Sequence, residues 1–320
     1  MNVERWFARR TFHHSRFGDL DALVEAKERQ QIAISACIPT LNEAATIGPI
    51  VSTIRRELIE GMPLVDEVVV VDSRSEDGTA RAAEDEGAVV VQDADVLPGL
   101  EPGSGKGEAL WKSLFVLKGD LIVWLDADIE NFHPRFVYGP LGPLLTDPEV
   151  GYVKAFYDRP IRVGEEVQPA EGGRVTELTA RPLLNMFWPH LAGMIQPLSG
   201  EYAGRRDVLE QVPFFTGFGV ELGMLIDVAD RFGVDAIAQV DLDVRVHRNH
   251  DISALSRMAF AVLQAAIRRL EAAGRITLSE ELRTSYLQTR PDGDARELER
   301  RDLGLTERPP AATLPEYASR

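Results

Sequence analysis

Two aspartates, Asp126 and Asp128, stand two residues apart directly after the apolar run Leu121–Leu125 (LIVWL). Carboxylates at that spacing can hold a divalent cation, Mg2+ or Mn2+, against a diphosphate, where it neutralises charge on a departing nucleotide. The same D-x-D spacing also occurs in ordinary acidic turns, so the pair alone does not decide. Asp72 closes a second apolar run, Glu67–Asp72 (EVVVVD), and Lys106 follows the Gly/Pro-rich segment Pro98–Gly105; both strengthen the chemical reading. His247 shares a polar alternation with Arg245 and Asn249, which makes it the best second metal ligand, although a lone histidine is more often structural. Gly172-Gly173-Arg174-Val175-Thr176-Glu177 opens a helical pattern. Glycines, free N–H groups and a forked guanidinium suit a phosphate, and a flexible turn with an exposed arginine fits equally well. Glu221, beside Val220, Leu222, Met224 and Leu225, is either an exposed helix-start acid or a group aimed into a pocket.

The elements that must position these residues alternate. Strands are expected at Ile32–Pro39, Glu67–Asp72, Ala88–Gln92 and Leu121–Leu125, with helices at Glu43–Ile59, Gly78–Glu86 and Lys106–Leu117. Short apolar runs separated by helices imply a mostly parallel sheet covered on both faces. Ligands in such folds sit beyond the carboxyl ends of the strands, where Pro39–Glu43, Asp72–Ser75 and Asp126–Asp128 all fall. Past Gly151 the pattern becomes mixed, with strands at Tyr152–Tyr157 and Ala236–His247 and helices at Val175–Met186, Val220–Phe232 and Ser253–Ala273. Period two across Asp241, Asp243, Arg245, His247 and Asn249 puts those side chains on one polar face. From Arg283 onward, charges and prolines suggest a loosely ordered tail or one packed on a partner subunit. The division is 1–150, a nucleotide-binding half; 151–275, an acceptor-binding half of the same unit; and 276–320, a C-terminal tail.

Composition narrows the classes. The 320 residues are 44% hydrophobic, enough for a sizeable core, and 35 basic against 51 acidic residues give a net charge of −16. That sign disfavours nucleic acid and anionic membranes as partners, and an anionic substrate then needs local cations or a bound metal. Cys37 is alone, which excludes a disulfide framework and leaves a small core residue. No secretory leader and no apolar run of ~20 residues is present, so stable membrane insertion is not expected and a cytoplasmic location is. G-x-G-x-x-G, G-x-S-x-G and H-E-x-x-H are missing; Gly103-Ser104-Gly105-Lys106 resembles part of a P-loop, but Gly107 stands where Ser or Thr should bind magnesium. His13, His14, His133, His190 and His250 read as surface or packing residues.

The segments IPTLNEAATI (38–47), VVDSRSEDGT (70–79), PGSGKGEALWKSL (102–114), LDADIENFHP (125–134), GGRVTELTARPLL (172–184), QPLSGEYAGRR (196–206), GFGVELGMLID (217–227) and AQVDLDVRVHRN (238–249) together span about two-thirds of the chain. They resemble the retaining GT-A glycosyltransferases that make glucosyl- or mannosyl-3-phosphoglycerate; GGRVTELTARPLL and QPLSGEYA are the most specific. The resemblance implies an α/β GT-A fold with a mostly parallel open sheet flanked by helices and a mixed α/β acceptor-binding C-terminal half. It implies donor contacts at Pro39, Leu41, Glu43, Ser73, Lys106 and Asp126, and metal ligands Asp128 and His247. Acceptor contacts would fall on Gly173, Arg174, Thr176 and Asn249, with Asp126, Asp128, Glu221 and Arg245 as the catalytic set. Mg2+ or Mn2+, a nucleotide-sugar donor, 3-phosphoglycerate and a homodimer complete the expectation. Glu171 in place of a glycine, and Arg74 in a usually small-residue loop, depart from the pattern. Glucose or mannose, and uracil or guanine, stay open. A sugar-phosphate nucleotidyltransferase and a non-catalytic nucleotide-sugar sensor are the rival readings.

Overall fold

Four consecutive valines, Val68–Val71, can form only a strand covered on both sides, and in the computed structural model all four are at most 4% exposed. The structure describes residues 2–159, 161–163, 166–168, 173–246, 251–292 and 295–318. Eight strands make one sheet: β1 (Thr11–His13), β2 (Ile34–Thr40), β3 (Glu67–Asp72), β4 (Val89–Gln92), β5 (Leu121–Trp124), β6 (Tyr152–Asp158), β7 (Tyr202–Arg205) and β8 (Ile237–Val244). Their order is β1-β8-β6-β7-β5-β2-β3-β4. Every neighbouring pair is parallel except those of β7, which runs antiparallel to both β5 and β6. The expected α/β architecture holds, and the second half of the chain extends the sheet of the first.

Alternation along the strands builds two cores. Ala36, Ile38, Val68, Val70, Leu121 and Val123 belong to one apolar layer; Cys37, Val69, Val71, Ile122 and Trp124 belong to the other. Cys37 is fully buried, and burial pushes its thiol up to about 12, consistent with an inert core residue. The chain leaves β2 for β3 on one side and reaches β5 on the other, so the crevice between the loops after β2 and β5 is the topological switch point.

Several expectations need correction. The helix anticipated to Ile59 ends at Ile54 and continues as a wider turn, Arg55–Gly61. Helix Arg135–Thr146 was not anticipated, because Gly139, Pro140, Gly142 and Pro143 read as breakers. Its burial overrides that propensity, and Gly142 leaves room for the Phe17 ring, which a Cβ would meet at 2.1 Å. Strand β8 stops at Val244, with a register break after Asp241 and Asp243 at φ +62°, so the polar alternation does not continue to Arg245.

The described part of the C-terminal tail is ordered and returns to its own chain. Ser285–Asp292 and Ala295–Asp302 form an antiparallel hairpin, and Glu307–Arg308 then pairs with Phe214–Phe215. Arg308 is the reason a charged tail can return to the core. Its Nε and Nη2 donate to Glu108 Oε2 and Oε1 at 2.7 and 2.8 Å, while Trp111 Nε1 donates to Pro309 O at 2.8 Å. Glu108 is fully buried, and its other cation is Lys112 at 3.3 Å. Removing one partner of such a pair is costly because the remaining charge stays desolvated. Arg308→Ala should lower unfolding free energy by about 3 kcal/mol in urea titrations, and the double change Glu108→Leu/Arg308→Leu should recover only part of that loss, because Lys112 then loses its carboxylate.

Candidate active site

The loop after β2 is shaped by Asn42 at φ +59°, a conformation Asn tolerates. Asn42 Oδ1 accepts from the Glu76 N–H at 2.9 Å, and the Asn42 N–H donates to Ser75 Oγ at 2.8 Å. Asp72 fastens the same region from below: it accepts from Thr40 Oγ1, Ser75 N and Oγ, and Gln92 Nε2 at 2.5–3.0 Å. Asp72 is therefore a buried loop organiser. Thr46 Oγ1 then donates to Ala127 O at 2.6 Å, tying the helix after this loop to the Asp126-Ala127-Asp128 turn.

At that turn, charges from four strand ends meet. Lys106 Nζ donates to Asp126 Oδ1 at 2.5 Å and lies 3.1 Å from Glu221 Oε1. Arg245 Nη2 donates to Asp126 Oδ2 at 3.0 Å and to Asp128 Oδ1 at 2.5 Å. Behind it, Arg245 Nη1 donates to the Tyr157 hydroxyl at 3.1 Å, and Nε forms an ion pair with Glu201 Oε1 at 3.3 Å. The Tyr157 hydroxyl donates to Glu201 Oε2 at 2.5 Å and accepts from Arg159 Nη2 at 2.8 Å. Burial alone would raise the Asp126 carboxyl, but the Lys106 ammonium and Arg245 guanidinium outweigh it and hold it well below the usual carboxylate range. Lys106 is displaced in the complementary sense: burial opposes its charge, while Asp126 and Glu221 raise it above an ordinary lysine. Glu201 is raised, because burial exceeds the relief given by Arg245.

Gly200 makes this cluster possible. A Cβ there would stand 1.8 Å from Asp126 Oδ2, so a side chain at position 200 would push the Asp126 carboxylate out of this arrangement. The preceding carbonyl, Ser199 O, is held by Lys154 Nζ at 2.6 Å. Lys154 is fully buried above the Tyr202 ring, 4.2 Å from its centroid, and burial pushes its ammonium down to about 7.

The cluster floors a cavity of about 430 Å³. Pro39, Leu41, Glu43, Ser73, Lys106 and Asp126, the expected donor residues, line it. So do Asp128, Glu221 and Arg245, and the expected acceptor residues Gly173, Arg174 and Thr176. Gly173 sits at φ +88°, which favours glycine. Glu221 is 6% exposed, so the exposed helix-start reading gives way to the pocket one. His247 and Asn249 lie outside the described residues, as do Gly172 and Glu171. Sequence reasoning missed Arg159, which lines the cavity, and Glu201 and Tyr157 beneath it. Arg159 lies just past the end of β6, the place where the strand-end rule directs attention. Leu255, Met258 and Val262 were legible as an apolar helix face, but not as a cavity wall.

The donor set fits a divalent cation. Asp126 and Asp128 already converge on a single cationic atom, Arg245 Nη2, and their hard oxygens suit Mg2+ or Mn2+. Glu43, Asp126, Asp128 and Glu221 face Lys106, Arg159, Arg174 and Arg245 across the cavity, so its lining is electrically balanced in a protein of net charge −16.

Residues 35–202 match the family model for glycosyl transferase family 2. The glucosyl-3-phosphoglycerate synthase of Petrotoga mobilis is 50% identical over 309 residues, covering 97% of this chain and 95% of the relative. The crystal structure of mannosyl-3-phosphoglycerate synthase from Rubrobacter xylanophilus superposes with a TM-score of 0.88 at 41% identity, covering 98% of each chain. That of Mycobacterium tuberculosis glucosyl-3-phosphoglycerate synthase, in complex with Mn2+, UDP and phosphoglyceric acid, gives 0.80 at 41% identity, covering 92% of this chain and 94% of the other. The chain belongs to glycosyl transferase family 2, in the branch of the glucosyl- and mannosyl-3-phosphoglycerate synthases.

Proposed function

We propose that this chain is a metal-dependent retaining hexosyltransferase that moves a glucosyl group from UDP-glucose to 3-phosphoglycerate. The observation that carries this reading is the convergence, around one cavity, of every described residue assigned to donor, metal and acceptor. The glucosyl choice rests on the 50%-identical Petrotoga relative and on the 42%-identical relative from Mycolicibacterium paratuberculosis, both glucosyl-3-phosphoglycerate synthases. The Rubrobacter structure favours a second reading, mannosyl transfer from GDP-mannose. The family resemblance also supports a homodimer acting in the cytoplasm. No helix among the described residues is long and apolar enough to cross a membrane.

Asp128, with His247, would hold Mg2+ or Mn2+. When bound, the ion supplies charge neutralisation on the leaving diphosphate. Lys106 adds a second cation to the diphosphate, exchanging its contacts with Asp126 and Glu221 for phosphate oxygens. Gly173, Arg174 and Thr176 receive the anionic acceptor, with Asn249 completing that set, and Glu221 and Arg245 flank the transferred sugar. The acceptor hydroxyl attacks from the face the nucleoside diphosphate leaves, and its proton passes to the departing diphosphate oxygen.

A panel of UDP- and GDP-linked glucose and mannose, each supplied with 3-phosphoglycerate, should yield most product with UDP-glucose. Activity should vanish with chelator and return with Mg2+ or Mn2+. A GDP-mannose preference would establish the second reading, and release of pyrophosphate would overturn transfer. Arg174→Ala should raise the KM for 3-phosphoglycerate roughly 10–100-fold, since a charged hydrogen bond contributes ~1.5–3 kcal/mol, with donor affinity by calorimetry unchanged. Arg174→Lys should recover part, keeping charge without the fork. Gly200→Ala should reduce kcat about 100-fold by displacing Asp126, while Gly99→Ala, where a Cβ meets nothing within 4 Å, should leave kcat unaltered.

A further inference from the structure

Outside the cleft, three chemically apt side chains come together at the edge of the sheet. His13 ends β1, His14 begins the tight turn His14–Phe17, and Asp243 occupies the irregular end of β8. His13 Nε2 lies 2.9 Å from Asp243 Oδ1, and His14 Nε2 lies 2.7 Å from Asp243 Oδ2. One ligand atom from each residue falls within 4.8 Å of the other two. The far ring nitrogens are also held: His13 Nδ1 is 2.7 Å from Ser15 Oγ, and His14 Nδ1 is 3.1 Å from the Tyr138 hydroxyl. Nothing in the proposed transfer reaction uses this cluster.

We propose that His13, His14 and Asp243 form a second metal site, separate from that of Asp128, which takes a divalent transition ion, zinc by preference. Two imidazoles and one carboxylate are an N2O donor set; it suits zinc, and it is a poor match for Mg2+, which demands six oxygens. Tetrahedral zinc with ligands at about 2.0–2.1 Å separates neighbouring donor atoms by roughly 3.3 Å, and the three donor atoms, within 4.8 Å of one another, can reach that spacing by small side-chain adjustments. The Tyr138 hydroxyl can accept the His14 Nδ1 proton, which fixes Nε2 as the ligating nitrogen of that ring, the outer hydrogen bond a metal-bound histidine needs. His13 Nδ1 accepts from the Ser15 N–H at 3.3 Å, a contact it exchanges for donation to Ser15 Oγ when Nε2 binds the ion. His13 and Asp243 are each 46% exposed, leaving the fourth position to water. The site would join the N-terminal segment to β8 two residues before Arg245.

Metal-stripped full-length protein titrated with Co2+ reads the site directly, because tetrahedral cobalt absorbs strongly in the visible. Wild type and Asp128→Ala should both develop these bands, and one equivalent of Zn2+ should abolish them while excess Mg2+ does not. His14→Gln should lose the bands and bind zinc at least about 100-fold more weakly by calorimetry. Asp243→Asn, which tolerates the same backbone conformation and keeps an acceptor oxygen, should do the same if His14→Gln folds poorly by circular dichroism. Tyr138→Phe should weaken zinc about 10–100-fold. Bands that persist in both His14→Gln and Asp243→Asn, that disappear in Asp128→Ala, or that never form in wild type would overturn the proposal.

Discussion

A guanidinium 3% exposed to solvent cannot stand without counter-charges, and Arg245 obtains them from two strand ends, with a hydroxyl from a third. Asp126 and Asp128 follow β5, Tyr157 lies in β6, Glu201 precedes β7, and Arg245 itself follows β8. The order β8-β6-β7-β5 is what brings them together. Lys106 extends the set through Asp126 to Glu221, so one connected network fixes both the D-x-D turn and the helix Val220–Phe232.

The parts of this design that depend on local pattern were legible. Glu67–Asp72 and Val220–Phe232 have the boundaries their apolar periodicity implies. The polar residues beyond β2 and β5 do line one cavity. What could not be read was what long-range pairing decides. Tyr202–Arg205 (YAGR) is four residues long, contains a glycine and shows no alternation. It becomes a central strand only because β5 and β6 offer it edges on both sides. Glu201 was invisible for the same reason: it acquires a role only once Arg245 is brought beside it. The D-x-D turn, by contrast, announced itself through two carboxylates at fixed spacing.

The polar alternation running to Asn249 illustrates the opposite error. Period two predicts that Asp243 and Arg245 share a face. A register break and a left-handed backbone at Asp243 send them to different partners: Asp243 to His13 and His14, Arg245 to the cleft. The C-terminal tail shows the same limit. Its charges and prolines suggest loose order or a partner subunit, yet Arg308 is 8% exposed and matched by fully buried Glu108 of the same chain. Sequence composition registers a charge but not its partner 200 residues away.

The network also explains how the cleft can exchange ligands without collapsing. Arg245 holds Asp126 and Asp128 through Nη2, but Glu201 and Tyr157 through Nε and Nη1. If the two aspartates turn toward a divalent ion, Arg245 keeps a carboxylate and a hydroxyl and is not left an isolated buried charge. Lys106 is in the same position, since a diphosphate can replace Asp126 and Glu221 as its counter-charge. A cation entering beside Asp128 and an anion entering beside Lys106 therefore restore between them the balance each would disturb alone. On the proposed assignment, that coupling would let a protein of net charge −16 hold two anionic substrates in one cavity, metal and diphosphate each supplying the counter-charge that the other displaces around one buried arginine.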